Sequence, residues 1–200
     1  NTKKLKGNIV KTASVTDKLK TFFESKQRKI FDVQVGFKYI TEVMIDKKVA
    51  FGCEESGGFG YGIHIPERDG ILSSLFMIEM IAHSGFNKLS EYVDHKRNEF
   101  GNIFYDRIDL KYEKPDRYEL LPELYRKFID SIDNFRVVHA KAFYSSRNVI
   151  NGLKFFLEGD NRWLLLRSSE TEPIVRIYAE GQNVEEVEQF LEFGRKLFNK

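Results

Sequence analysis

Short apolar runs separated by polar turns fill the first hundred residues, and longer strand-length runs fill the second hundred. Residues 8–13, NIVKTA, predict a buried strand. Thr16 is placed to cap a helix beginning DKLKTFFESKQ, with Leu19, Phe22 and Phe23 on one face. Residues 30–35 predict a second strand, which Gly36 breaks before FKYI. A third, VAFGC, runs into the glycine-rich stretch ESGGFGYG. Asp69 then precedes ILSSLFMIEMIAHSG, where Ile71, Leu75, Ile78 and Ala82 recur at helical spacing. Apolar residues nearly surround that helix, which predicts a buried element stopped at Gly85. This order over residues 1–88 predicts a small α/β domain, a mixed sheet with helices.

Residues 86–102 turn polar around SEYVDHKRNEFGN, which predicts a short helix and, over 89–102, a hinge. From 103 the pattern changes. FYDRIDLKY alternates like a strand, and DRYELLPELYRKFIDSI has helical spacing, with Pro122 to be accommodated near its first turns. VVHAKAFY, GLKFFLE, RWLLLR and PIVRIYAE are four more strand-like runs with turn residues between them. Asn183 followed by Glu186 resembles a capping box. The helix after it carries Val184, Val187, Phe190, Leu191, Leu197 and Phe198 on one stripe. Strands closed by helices over 103–200 predict an α+β domain with an antiparallel sheet.

Composition narrows the function. Apolar residues make up 42% of the 200, with 18 Phe, which is enough for true cores. Lys plus Arg is 32 and Asp plus Glu is 30, for a net charge of +2, so no overall field draws the chain to nucleic acid or membrane. Any anion site has to be built locally. The single Cys53 excludes an internal disulfide framework and fits a reducing, cytoplasmic setting. No apolar run approaches the roughly 20 residues of a membrane helix. The start, NTKKLKGN, has no apolar stretch of the signal-peptide kind. His64, His83, His95 and His139 show no zinc-ligand spacing.

Two loops carry candidate chemistry. In Gly52–Gly70, Glu54 and Glu55 are acceptors and Ser56 both donates and accepts, the mixture that vicinal sugar hydroxyls require. Glycines there let backbone approach a ligand, His64 adds a donor, and Arg68 can hold a phosphate. A glycine-rich connection with solvated charges fits the same residues. In Arg167–Arg176, Arg167, Ser169, Thr171 and Arg176 offer fork donors and hydroxyls to a small anion. A polar turn with two surface cations fits the same residues and, on the residues alone, is favoured, since most arginines are surface cations.

FGCEESGGFGYGIHIPERDG resembles the sugar-binding loop of the α-D-phosphohexomutases, RWLLLRSSETEPIVRIYAEG resembles their phosphate-binding loop, and VGFKYI upstream also matches. The resemblance covers the whole chain as the third and fourth domains of a four-domain enzyme, the fourth similar to the TATA-box-binding protein in fold. It implies a phosphoglucomutase and/or phosphomannomutase that interconverts hexose 1-phosphate and hexose 6-phosphate. The route runs through a phosphoserine and a hexose bisphosphate, which also serves as activator. It further implies that Glu54 and Ser56 grip sugar hydroxyls, with Lys38 and His64 lining the cleft. Arg167, Ser169, Glu170, Thr171 and Arg176 would hold the distal phosphate. Arg68 would serve in proton transfer or phosphate orientation. Phosphoglucosamine mutase and a non-catalytic sugar-phosphate-binding module are the alternatives.

The family's serine loop and its magnesium loop are absent. Residues 12–14, TAS, are followed by Val15 and Thr16 rather than by His and Asn, so Ser14 is not read as the phosphoserine. Magnesium, the serine and half of the ligand cage are expected in the N-terminal domains of the same enzyme, and the chain alone is expected to be inactive. Cys53 stands where the family commonly has Gly. Glu170 stands where Gly or Asn is common, and its carboxylate is expected to point out of the cleft.

Overall fold

The computed structural model describes residues 5–198; the first four residues of NTKKLKGN lie outside them. The chain divides into two compact units, one ending at Asn102 and the other beginning at Ile103.

The first unit is built on a four-stranded sheet of β1 (Asn8–Thr12), β2 (Ile30–Val33), β3 (Val49–Cys53) and β4 (Phe59–Tyr61), in the order β2-β1-β3-β4. β1 runs parallel to β2 and β3, and β4 pairs antiparallel with β3, so the sheet is mixed. The crossovers are α1 (Lys18–Glu24) and α2 (Phe37–Asp46). α2 has no counterpart in the sequence-based expectation, although Phe37, Ile40 and Met44 recur at helical spacing. Phe37 and Ile40 are buried with Val10 and Val49. β4 is a further addition, inside the glycine-rich stretch. Gly62, just after it, donates its N–H to the Ala50 carbonyl at 3.0 Å and lies so close to Val49 that any Cβ would collide with the Val49 carbonyl. α1 is shorter than DKLKTFFESKQ, and the chain turns at Gln27 with φ 57°. Thr16 Oγ1 does accept the Lys18 N–H at 3.3 Å.

The helix expected to be buried, α3 (Gly70–Ser84), is the main correction. Ile71, Leu75 and Ile78 are 79%, 57% and 66% exposed, and Ala82 is exposed too. The opposite face meets the sheet, where Phe76 stands edge-on to Tyr61 at 4.7 Å and Ser73 lies 3.2 Å from the Tyr61 hydroxyl. An all-round apolar helix has several stripes. Periodicity alone does not say which stripe faces the sheet. The ends follow expectation: Asp69 accepts the Leu72 N–H at 2.8 Å, and Gly85 closes in the left-handed region. Residues 89–102, read as a hinge, hold α4 (Leu89–Phe100) within the first unit.

The second unit is a six-stranded antiparallel sheet of β5 (Phe104–Lys111), β6 (Ser131–Ile132), β7 (Phe135–Tyr144), β8 (Ile150–Leu157), β9 (Trp163–Ser168) and β10 (Ile174–Gly181). Their order is β5-β10-β9-β8-β7-β6. α5 (Leu120–Lys127) and α6 (Val184–Phe198) complete it. Pro122 fits because it is the third residue of α5, where no intrahelical N–H partner is needed. The helical reading of FIDSI fails: Phe128 adopts φ 47°, and Ser131 and Ile132 pair with β7. Phe190 and Phe198 of α6 pack with Leu153, Phe155, Leu166 and Ile177. Val184 is 53% exposed and leaves the expected stripe.

Two polar ties hold these units. In the first, Lys11 is 1% exposed; its ammonium reaches Asp17 at 3.0 Å, Asp32 at 3.2 Å and the Val15 carbonyl at 3.0 Å. Burial works to lower its pKa, but Asp32 and Asp17 outweigh that and raise it above the ordinary lysine value. In the second, Asn183 caps the Glu186 N–H at 2.8 Å, giving half of the expected box. The Glu186 carboxylate does not return to Asn183. It takes a two-pronged contact from Arg162, both arms 2.8 Å, and the Gln182 N–H at 2.8 Å. Arg162 is thus the first cause of a Glu186 pKa below the ordinary value.

Lys11→Ala should cost about 3 kcal/mol, the low end for a broken buried pair, because Asp17 and Asp32 retain some solvent. Urea unfolding of the chain checks this; an unchanged midpoint would deny Lys11 its role. Glu186→Gln should cost about 1.5–3 kcal/mol at neutral pH, as for a lost charge-assisted hydrogen bond. The native carboxylate resists protonation more than the unfolded one does. Its contribution is therefore full above the unfolded pKa of about 4.3 and fades as pH falls through the lower native value. Thermal melts from pH 7 downward should show the parent losing this increment and the variant lacking it.

Candidate sugar and phosphate loops

The first loop leaves β3 at Cys53 and returns as β4, at the carboxyl end of parallel strand β1, where α/β sheets gather ligands. Its turn is closed by the Glu54 N–H to the Gly58 carbonyl at 2.9 Å, with Gly57 at φ +88°. Glu54 is buried, and the Arg68 guanidinium reaches its carboxylate at 3.3 Å while lying over the Phe37 ring. Ser56 is exposed, and its hydroxyl has no hydrogen-bond partner among the described residues. The loop therefore combines a held acceptor, an exposed hydroxyl and a cation within a few residues. His64 pairs with Asp69 at 3.0 Å, beside the start of α3. The Leu72 N–H is the first cause of an Asp69 pKa below the ordinary value. Lys38 stands in the first turn of α2 rather than on a loop, exposed, with its ammonium over the Tyr39 ring.

One tie to this loop was not foreseen. The Ser14 hydroxyl, 1% exposed at the end of β1, donates to Glu55 at 2.6 Å and lies 3.1 Å from the Thr12 hydroxyl. It pins Glu55 to β1 between Glu54 and Ser56. Forty-one residues separate Ser14 from Glu55, so no local spacing signals the contact. Cys53 is buried, and burial pushes its thiol up to about 12, which makes it an inert core residue.

The second loop joins β9 to β10. Register places Arg176 directly across from Arg167, so the two guanidinium groups leave the same face of the sheet. Like charges so placed repel unless neutralised. Arg176 is neutralised by Asp109 on β5 at 3.3 Å and by Glu172 at 3.0 Å. Glu170 is turned to the Asn151 amide on β8 at 2.7 Å. Arg167 Nε, by contrast, is buried with no hydrogen-bond partner. Ser169 Oγ accepts the N–H groups of Thr171 at 3.4 Å and Glu172 at 3.2 Å, which holds the turn and leaves its own proton to donate. Thr171 is exposed at the tip. Of the residues read as anion ligands, Arg167 and Ser169 have capacity to spare, and Arg176 is engaged with carboxylates.

Among the described residues, no three or more His, Cys, Asp or Glu side chains are grouped to hold a metal ion. No helix among them is long and apolar enough to cross a membrane.

Residues 1–100 match the family model of phosphoglucomutase/phosphomannomutase α/β/α domain III, and residues 115–196 match that of the phosphoglucomutase/phosphomannomutase C-terminal domain. A phosphoglucomutase/phosphomannomutase of Thermococcus kodakarensis is 25% identical over 200 residues, covering 97% of this chain and 38% of the relative. A phosphoglucosamine mutase of Methanocaldococcus jannaschii is 26% identical over 190 residues, covering 94% of this chain and 38% of the relative. A phosphoglucomutase/phosphomannomutase family protein of Burkholderia thailandensis shares the fold at a TM-score of 0.73 and 15% identity, with 98% of this chain and 38% of that one covered. A crystal structure from Thermus thermophilus aligns over the whole of this chain at a TM-score of 0.72 and 32% identity, again covering 38% of the other chain. The chain thus spans well under half the length of the relatives it matches. The two family models and the two loops in their order place it in the phosphoglucomutase/phosphomannomutase family of α-D-phosphohexomutases, of which it holds domain III and the C-terminal domain.

Proposed function

We propose that this chain is the ligand-gripping part of a mutase that interconverts hexose 1-phosphate and hexose 6-phosphate. The observation that carries the proposal is Arg167: a buried guanidinium nitrogen without a partner, opposite a second arginine, in a turn whose carboxylates are already engaged. Such a group lacks an anion with several acceptor oxygens. A phosphate monoester supplies one, and the Ser169 hydroxyl adds a donor beside it.

On this reading Glu54 and Ser56 hold sugar hydroxyls, with Arg68 steadying Glu54 through their ion pair. A mutase binds its two regioisomers in turn. Common hydroxyls and one distal phosphate are what the two share, and that remote binding orients the reacting end. Phosphoryl transfer itself would use a serine, a hexose bisphosphate and magnesium, with the serine and metal in the preceding domains. The metal would supply charge neutralisation at the transferred group. Ser14 remains a loop anchor here, because its hydroxyl is buried and committed to Glu55. A cytoplasmic setting belongs to the same proposal and rests on the single free thiol, Cys53. Phosphoglucosamine as substrate is the second reading, favoured by the several phosphoglucosamine mutases among the relatives.

In the full-length mutase, Arg167→Ala should lower kcat/KM about ten- to a hundredfold, the equivalent of a charge-assisted hydrogen bond of about 1.5–3 kcal/mol. Assays on glucose, mannose and glucosamine phosphates check this and distinguish the two readings. An unchanged value on every one would remove Arg167 from the phosphate site. The purified 200-residue chain should give no turnover with magnesium and a hexose bisphosphate. Activity above a no-protein control would return Ser14 to consideration as a nucleophile.

A further inference from the structure

The turn between β9 and β10 carries two carboxylates, Glu170 and Glu172, beside the two arginines that its strands bring together. Glu172 pairs with Arg176 at 3.0 Å. Glu170 stands in the same turn, shortly after Arg167, yet Arg167 Nε is buried and unpaired. The Glu170 carboxylate instead accepts the side-chain amide of Asn151 at 2.7 Å. Asn151 is 3% exposed on β8. It is also the extra residue of a β-bulge. Gly152 lies opposite Phe143 and Ile150 opposite Tyr144, and the slip between them leaves Asn151 with no residue across from it on β7. A bulge re-aims the side chain of its extra residue. Gly152, the next residue along β8, lies directly across from Arg167. The irregularity thus falls where β8 meets the start of the second loop, and it delivers a buried amide to one carboxylate of that loop.

We infer, on the phosphate reading proposed above, that Asn151 is a positioning residue: its amide latches Glu170 and so keeps Arg167 open to an anion. A carboxylate and a phosphate ask for the same guanidinium donors. A carboxylate borne on the turn itself competes with an advantage, because it has no translational freedom left to lose. Glu172 shows the outcome at Arg176, whose guanidinium is committed to Glu172 and Asp109. Released, Glu170 would quench Arg167 in the same way. The Asn151 amide offers it a neutral donor in a buried setting, where a hydrogen bond is stronger than in water. One arginine is thereby spent on structure, and the other is kept for a ligand.

Nuclear magnetic resonance of the Arg167 Nε–H group in the 200-residue chain tests the latch with no ligand present. An Nε–H that gains a carboxylate partner moves downfield and exchanges more slowly with water. Asn151→Leu removes the amide and adds no charge. It should shift the Arg167 signal when Glu170 is present and leave it in place in a Glu170→Ala background. Titration with inorganic phosphate then reads the consequence. On Asn151→Leu the apparent Kd should rise about two- to fivefold, the scale of an ion pair that phosphate must first displace. The same substitution in the Glu170→Ala background should leave the Kd unchanged. Should Asn151→Leu not fold, Asn151→Ala completes the same cycle. An unmoved Arg167 signal on Asn151→Leu would overturn the latch. So would an equal loss of phosphate affinity in both backgrounds, which would make Asn151 a structural support of the turn. If the shift follows the cycle but phosphate moves the Arg167 signal in no variant, the phosphate reading fails and the latch is confirmed alone.

Discussion

The buried ammonium of Lys11 is the interaction on which the first unit depends. Its three contacts come from a loop carbonyl after β1, from β2 and from the residue before α1. Asp17 stands at the helix N-cap position yet makes no cap bond with its side chain, having turned to Lys11. The charge fixes how the chain leaves the central strand. A buried cation without these carboxylates would be expelled or neutralised. With them, the end of β1 is rigid, and Ser14 two residues beyond the strand can hold Glu55 at 2.6 Å. The candidate sugar loop therefore inherits its position from an ion cluster none of whose members belongs to it.

The second loop is governed by charge accounting across a sheet. Register forces Arg167 and Arg176 together, and the strands decide which of them is quenched. β5 brings Asp109 to Arg176, and the turn adds Glu172. β8 brings Asn151 to Glu170 and draws that carboxylate into a hydrogen bond of its own. The outcome is an Arg176 paired with two carboxylates and an Arg167 whose buried Nε has no hydrogen-bond partner. The sequence alone suggests two equivalent arginines; the sheet makes them different.

Both units contain a face or group that the described residues leave unfinished: the aliphatic seam of α3 and the Arg167 guanidinium. One is apolar surface exposed to solvent, and the other is a buried guanidinium nitrogen without a hydrogen-bond partner. The six-stranded sheet needs no such completion. Its core is closed by α6, and the Arg162–Glu186 contact, reinforced by the Gln182 N–H, secures the start of that helix. Gly181 is required there because a side chain would strike Glu186.

Strand identity, the two-part organisation and both loops were legible in the sequence, because alternation, glycine placement and capping residues are set by local geometry. NIVKTA, VAFGC, RWLLLR and PIVRIYAE became strands, and Asp69 and Asn183 became caps, for that reason. Chemical capacity was legible too: Glu54, Ser56, Arg68, Arg167 and Ser169 could be chosen by residue type alone. The sequence did not reveal which capacity is already spent. Arg176 is consumed by Asp109 sixty-seven positions away, and Ser14 by Glu55 forty-one away, and no window along the chain contains both partners. Nor did periodicity say which stripe of α3 meets the sheet, since an all-round apolar helix satisfies the burial rule in several orientations. Local steric preference and hydrophobic spacing were therefore set by the sequence alone. The pairing of charges and the choice of buried face were decided by tertiary structure, because they depend on distances between elements that have no counterpart in separation along the chain.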